Sequence, residues 1–381
     1  MHVVILGVGG VGAMAAWRLS RAGHAVTALE QFGIDHDRGS SYGASRIVRR
    51  VYPDAHYTHL MAEAYALWSA LMTEAGDDGL FVPCGGVYVG PADAPLMVAA
   101  QQALQASGVR YEVLSPAESA RRFPRFPLRA QEVALYEPGM GFARASACVR
   151  AAVGLARRYG AQVREGTAVV GIDAGRDGYA VRVTLATGEV LSADRLLICA
   201  GAWTGALLSA LGVTLPLTVT RQPYVHLRVV GDESEFLPGR FPVWIDAVAN
   251  AYGFPVTEAG AGLKIGLHDR GAVVAPDTVE REVTESDRES VRRYAAGRFG
   301  PEVSGVVVYE KVCLYTSTPD EDFVVDAVPG LPGAFVISAC SGHGFKFAPL
   351  MGQIAVDLVE DRNVRDLTRF RTGRWDALPV S

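Results

Sequence analysis

The segment Gly7-Val-Gly9-Gly-Val-Gly12 constrains this chain more than any other. It stands between a short apolar run, His2 to Leu6, and a stretch of helical periodicity, Val11 to Arg21. Ala25 to Leu29 then reads as a second strand and ends on an acid, Glu30. Strand, glycine turn, helix and strand predict a βαβ unit in which each glycine has a task. Gly7 permits the tight turn, Gly9 lets the backbone approach a pyrophosphate, and Gly12 lets the helix pack closely, while the helix N-terminus offers free N–H groups to phosphate. Glu30 is placed to accept from ribose hydroxyls and to disfavour a 2′-phosphate. The turn alone does not separate FAD from NAD.

A second strand and glycine turn, Leu196 to Trp203, returns late in the chain, as it does in two-lobed flavoproteins. Between the two lie helical segments (Tyr57 to Glu74, Asp93 to Ala106, Ala145 to Tyr159) and short strands (Val87 to Gly90, Tyr111 to Leu114, Ala168 to Ile172, Tyr179 to Leu185). Ser115, Pro116 and Glu118 form a helix start with a capping box, and Ser286 with Glu289 suggests another. Leu217 to Val230 alternates as a long half-exposed strand, Phe323 to Val325 and Ala334 to Ile337 read as strands, and Pro349 to Val359 as a closing helix. No linker or repeat separates these parts, so the lobes interleave. The expectation is an α/β fold with a discontinuous Rossmann-like cofactor domain (1–83, 140–216, 320–381) and a sheet-rich substrate domain (84–139, 217–319).

A chain of 381 residues is long enough for two lobes around one cleft. Its 36 basic and 41 acidic residues, net −5 without a basic block, argue against nucleic acid and toward a small-molecule substrate. Five cysteines, an odd number with no CxxC pair, speak against a disulfide framework or structural zinc and suit a reducing cytoplasm. Val3 to Trp17 is apolar but lacks a basic leader and is shorter than the roughly 18 residues of a spanning helix, so a soluble protein is expected.

Only three of the basic residues are lysines, Lys264, Lys311 and Lys346, which makes each a candidate site residue, since ammonium and guanidinium are not equivalent in a tight site. Arg46 and Arg49, three apart in the loop after the second strand, would face one way over a helical turn and offer forks to a carboxylate or a flavin carbonyl. Tyr252-Gly-Phe-Pro and Gly262 to His268 suggest paired strands, with Lys264 and His268 on one wall and Gly266 clearing space between them. Lys311-Val-Cys313-Leu-Tyr315 and Ser341-Gly342-His343-Gly-Phe-Lys346-Phe each carry a rare lysine. A thiolate at Cys313 beside cationic groups would be stabilised and reactive, although a lone cysteine is more often a buried packing thiol.

Taken together, these segments, above all CLYTSTPDEDF and SGHGFKF, resemble the monomeric sarcosine oxidase and N-methyltryptophan oxidase family of amine-oxidising flavoproteins over nearly the whole chain. The resemblance implies FAD linked through Cys313 to the flavin 8α position, with Gly342 among the cofactor-binding residues. It also implies a substrate carboxylate held by Arg49 and Lys346, and Arg46 against the flavin. Tyr252, Tyr315, His268 and His343 would line the pocket, and Lys264 would activate oxygen. The expected reaction oxidises a secondary amino acid to an imine that water hydrolyses, with O2 reduced to hydrogen peroxide, by a cytoplasmic monomer with no membrane partner. A dehydrogenase using another electron acceptor is the alternative. In the early loop the family commonly has GSHHGDTR where this chain has Gly39-Ser-Ser-Tyr-Gly-Ala-Ser-Arg46.

Overall fold

The computed structural model describes residues 1–268 and 271–375, so the last six residues of the expected cofactor domain lie outside the described residues. A six-stranded sheet is drawn from distant parts of the chain. Its order is Val324–Ala327, Ala334–Ser338, Arg195–Ile198, His2–Leu6, Ala25–Leu29 and Gln162–Arg164, all parallel except the first. The central strands His2–Leu6, Ala25–Leu29 and Arg195–Ile198 are largely buried on both faces and correspondingly apolar, as parallel strands are, while the edge strand Gln162–Arg164 is partly exposed. Helix Gly10–Arg21 lies against this sheet and under helices Ala145–Arg158 and Ala348–Val359, so Ala13 to Trp17 are buried all round. Gly352 makes the last contact possible, since a Cβ there would stand 2.7 Å from the Met14 carbonyl oxygen.

The second lobe is an eight-stranded mixed sheet. Its order is Val303–Ser317, Thr218–Val229, Leu263–Leu267, Ala251–Gly253, Val243–Asp246, Gly86–Pro91, Glu132–Glu137 and Glu112–Leu114. Alternation along Thr218–Val229 divides the faces. Val225, Leu227 and Val229 pack with Val291, Ala295 and Phe299 of helix Glu285–Phe299, while Tyr224 and Lys264 turn to the cavity on the opposite face. Both faces are covered from Tyr224 to Leu227, so this strand is half-exposed at its start and again at Arg228.

Two local expectations change. Helix Glu285–Phe299 is capped by Thr284 with Asp287, not by Ser286 with Glu289. Val283 is buried just before it and Arg221 pairs with Asp287 at 2.8 Å, which fixes where the chain enters the helix. Arg46 and Arg49 are not on a helical turn: Arg46–Val48 is a strand paired with Gly141–Ala143, and Arg49 follows it. Among the described residues no helix is long and apolar enough to cross a membrane.

Candidate active site

A continuous cavity of ≈ 1090 Å³ runs from the glycine turn, at the C-terminal ends of the parallel strands, to the inner face of the eight-stranded sheet. At its first end the turn is built as a close-approach cradle. Gly7 has φ +88°, and a Cβ there would stand 2.6 Å from the Cys199 carbonyl oxygen. A Cβ on Gly12 would lie 1.8 Å from the Gly7 carbonyl oxygen, so helix and turn touch backbone to backbone. The helix N-terminus has no side-chain cap, although Ser41 Oγ accepts from the Gly10 N–H at 2.9 Å. Buried Glu30 accepts from the Val8 N–H at 2.9 Å and the Phe32 N–H at 3.1 Å, which fixes its carboxylate at the cavity wall. These features fit an adenine dinucleotide.

At the other end, sheet register assembles the floor. Tyr88, Ile245, Tyr252, Gly266 and Tyr224 are partners across successive strands and form one row on the cavity face. Gly266 does clear space, but for a protein group: the Tyr252 ring lies over it, 2.5 Å from where its Cβ would be. Cys313 and Tyr315 share this face because they are two apart on one strand. Cys313 Sγ is 3.8 Å from Arg46 Nη2, which also donates to the Ser40 carbonyl. The neighbouring loop is tied to the strand on both sides of Cys313, since Ser40 Oγ donates to the Leu314 carbonyl and Tyr42 OH to that of Val312.

Lys264 is buried on the same face. Its Nζ donates to the Ser45 carbonyl at 3.0 Å and lies 4.2 Å from the Tyr224 ring centroid and 4.8 Å from that of Phe254. Burial, then the Arg46 charge, holds its pKa well below the ordinary lysine value. Lys311 is the exception among the lysines. It shares the face of Cys313 but projects beyond the cavity to Asp37 at 2.5 Å, a surface ion pair rather than a site residue.

His268 Nδ1 lies 3.3 Å from the Tyr315 hydroxyl, and the His268 ring stands 6.4 Å, centroid to centroid, from that of Tyr252. The chain passes close to both rings at Gly342, φ +73°, where a Cβ would stand 2.6 Å from Tyr315 and 2.7 Å from His268. Lys346 is buried, and its ammonium donates to Tyr52 OH at 2.9 Å and to the His343 carbonyl at 2.7 Å. The Arg49 guanidinium stands 4.0 Å over the Tyr52 ring. Neither cation has a carboxylate partner among the described residues, whereas most arginines of the chain are ion-paired. Burial, then the charges of Lys346 and Arg49, pushes His268 down to about 4; burial, then Lys346, pushes His343 well down too. Both imidazoles are neutral at neutral pH. The cavity thus joins a dinucleotide cradle to a pair of unpaired cations set among neutral aromatic and imidazole groups.

A family model described as FAD dependent oxidoreductase matches residues 2–358. The chain belongs to that family. FAD is therefore the dinucleotide that the cradle fits. The chain is 35% identical to a monomeric sarcosine oxidase of Streptomyces avermitilis over 93% of this chain and 92% of the relative. It is 33% identical to the peroxisomal sarcosine oxidase of Mus musculus (98% and 96% covered) and 30% identical to an N-methyl-L-tryptophan oxidase of Escherichia coli (98% and 99%). The fold matches that of NikD, an amino acid oxidase of nikkomycin biosynthesis, with TM-score 0.84 at 24% identity over 97% and 96% of the chains. It also matches an L-proline dehydrogenase of P. horikoshii, with TM-score 0.84 at 21% identity over 98% and 97%.

Of the sequence candidates, Gly7, Gly9, Glu30, Arg46, Arg49, Tyr252, Lys264, His268, Cys313, Tyr315, Gly342, His343 and Lys346 all line the one cavity, and Gly12 packs behind the turn. Sequence reading did not single out Tyr52, Ser45, Tyr224 or Phe254. Tyr224 was open to discovery through the alternation of its strand. Tyr52, in an irregular segment before Pro53, carries no periodic signal.

Proposed function

We propose that this enzyme oxidises a secondary amino acid, N-methyl or cyclic, at the bond between its amine and the adjacent carbon, with O2 as the final acceptor. The observation that carries the reading is the pair Arg49 and Lys346, a half-buried and a buried cation with no carboxylate partner among the described residues, facing the cavity that also holds Cys313 and Lys264. The kinship with sarcosine and N-methyltryptophan oxidases supports it.

Arg49 and Lys346 bind the substrate carboxylate, the arginine as a planar fork and the lysine as a point charge. The same two positive charges disfavour an ammonium beside them, so the bound amine is driven toward its neutral form, which has the lone pair that oxidation requires. Tyr252, Tyr315, His268 and His343 orient it and, with both imidazoles uncharged, add no further positive charge. FAD, when bound through Gly7, Gly9, Gly12, Glu30 and Gly342, supplies the two-electron acceptor. Cys313 is the residue placed for a thioether to the flavin, with Arg46 beside it. Lys264 holds a positive charge where reduced oxygen would develop a negative one. The imine product leaves for hydrolysis by water, and peroxide is the second product.

Anaerobic addition of N-methyl amino acids is expected to bleach the flavin, and aerobic turnover to yield one peroxide per substrate. If no secondary amino acid bleaches it, the reading fails. Bleaching without peroxide would identify a dehydrogenase. Acid precipitation is expected to give a yellow pellet that Cys313→Ser renders colourless; flavin freed from the wild type would refute the covalent link.

A further inference from the structure

Tyr52 touches both cations, Lys346 through its hydroxyl and Arg49 through its ring, and the hydrogen bonds of the hydroxyl can be directed one by one. His343 Nε2 lies 3.1 Å from the Glu321 carbonyl oxygen, which can only accept, so Nε2 carries the ring proton. The imidazole is neutral, so Nδ1 is a bare acceptor, and the Tyr52 O–H 3.0 Å away donates to it. The Tyr52 oxygen is then free to accept from Lys346 Nζ at 2.9 Å. With a second N–H on the His343 carbonyl, Lys346 keeps its third donor for a ligand. The Tyr52 ring cannot drift, because it stacks on the Tyr57 ring with centroids 5.3 Å apart and meets Phe347 at 6.0 Å. Its π-face carries Arg49 at 4.0 Å.

We infer that Tyr52 is the positioning residue of the carboxylate site, aiming the Lys346 ammonium with its hydroxyl and seating the Arg49 guanidinium on its ring, so that both charges converge on one anion. This rests on the reading of Arg49 and Lys346 as the carboxylate pair. Tyr52→Phe keeps the ring and the arginine seat but removes the oxygen that accepts from Lys346, leaving the ammonium with one protein acceptor and His343 Nδ1 with none.

The test is calorimetric titration of flavin-loaded wild type, Tyr52→Phe and Tyr57→Phe with acetate and with acetamide, its uncharged counterpart. Acetate affinity is expected to fall about 10- to 100-fold in Tyr52→Phe, the loss of a hydrogen bond to a charged group. Acetamide binding should be unchanged, and Tyr57→Phe should bind acetate as the wild type does. Equal weakening of both ligands in Tyr52→Phe, or an unchanged acetate affinity, overturns the inference. A wild type that binds acetate no better than acetamide sinks the carboxylate reading itself. A Tyr57→Phe loss matching that of Tyr52→Phe would assign the effect to the aromatic cluster instead, against the inference.

Discussion

Removing Arg298 tests how the wall of the cavity is held. Arg298, Glu132 and Asp246 are buried together behind the sheet. The guanidinium donates to Glu132 at 2.6 and 3.0 Å and also to Asp246. Asp246 in turn accepts from the N–H groups of Val248 and Ala249, holding the turn that ends at Asn250, and Asn250 exchanges two hydrogen bonds with the backbone of His268. Arg298→Met fills similar volume but leaves two buried carboxylates sharing no cation. Breaking a buried pair this way costs about 3–5 kcal/mol. With an unfolding entropy of about 0.8 kcal/mol per kelvin for a chain of this length, the melting temperature should drop by about 4–6 °C. The pH dependence is diagnostic. In the wild type, burial raises the Glu132 pKa but the Arg298 hydrogen bonds and the Arg129 contacts outweigh it, so the net shift is downward. Glu132 therefore stabilises the fold above its ordinary carboxylate value and loses that contribution as pH falls through the lowered one. In Arg298→Met burial acts with its main opponent gone, the Glu132 pKa moves up, and acid relieves the variant, so the gap to the wild type narrows on acidification. Scanning calorimetry at neutral and mildly acidic pH reads both effects. Adding Glu132→Gln with Asp246→Asn should recover part of the loss at neutral pH. A shift under about 2 °C, or a gap that widens in acid, would refute the reasoning.

Gly12→Ala should yield colourless protein, because its methyl group would stand 1.8 Å from a backbone oxygen that has nowhere to go; flavin content by absorbance checks it, and full loading would contradict the cradle. Lys346→Met should raise KM for an amino acid about 10- to 100-fold. Burial and then Arg49 lower the Lys346 pKa, so wild-type affinity is full below that value and fades as pH rises through it, whereas the variant should show no such limb in a KM–pH profile. Lys264→Met should still be reduced by substrate yet reoxidise about 10²- to 10³-fold more slowly in stopped flow, the size of one preorganised electrostatic contact. Normal oxygen reactivity would remove Lys264 from that role.

What the sequence determined by itself is local. Strands His2–Leu6 and Ala25–Leu29 were legible to the residue, because apolar runs bounded by a glycine turn and an acid leave little choice. Alternation likewise put Lys264 and His268 on one wall of the cavity, since a two-residue period is a property of one strand. Only the tertiary structure decided what covers each face. Lys311 has the same period as Cys313, yet its ammonium reaches past the cavity to Asp37, a carboxylate that the loop after the second strand places at the surface. Arg46 and Arg49 reach the cavity from a strand and the loop after it rather than from one helical turn, and no spacing rule reports that. Tyr52 was invisible for the same reason. Its hydroxyl matters through Lys346 and His343, nearly three hundred residues away in the chain, and only the packing of the 345–347 turn and the last helix against strand Arg46–Val48 and helix Ala55–Ala75 brings them within a hydrogen bond.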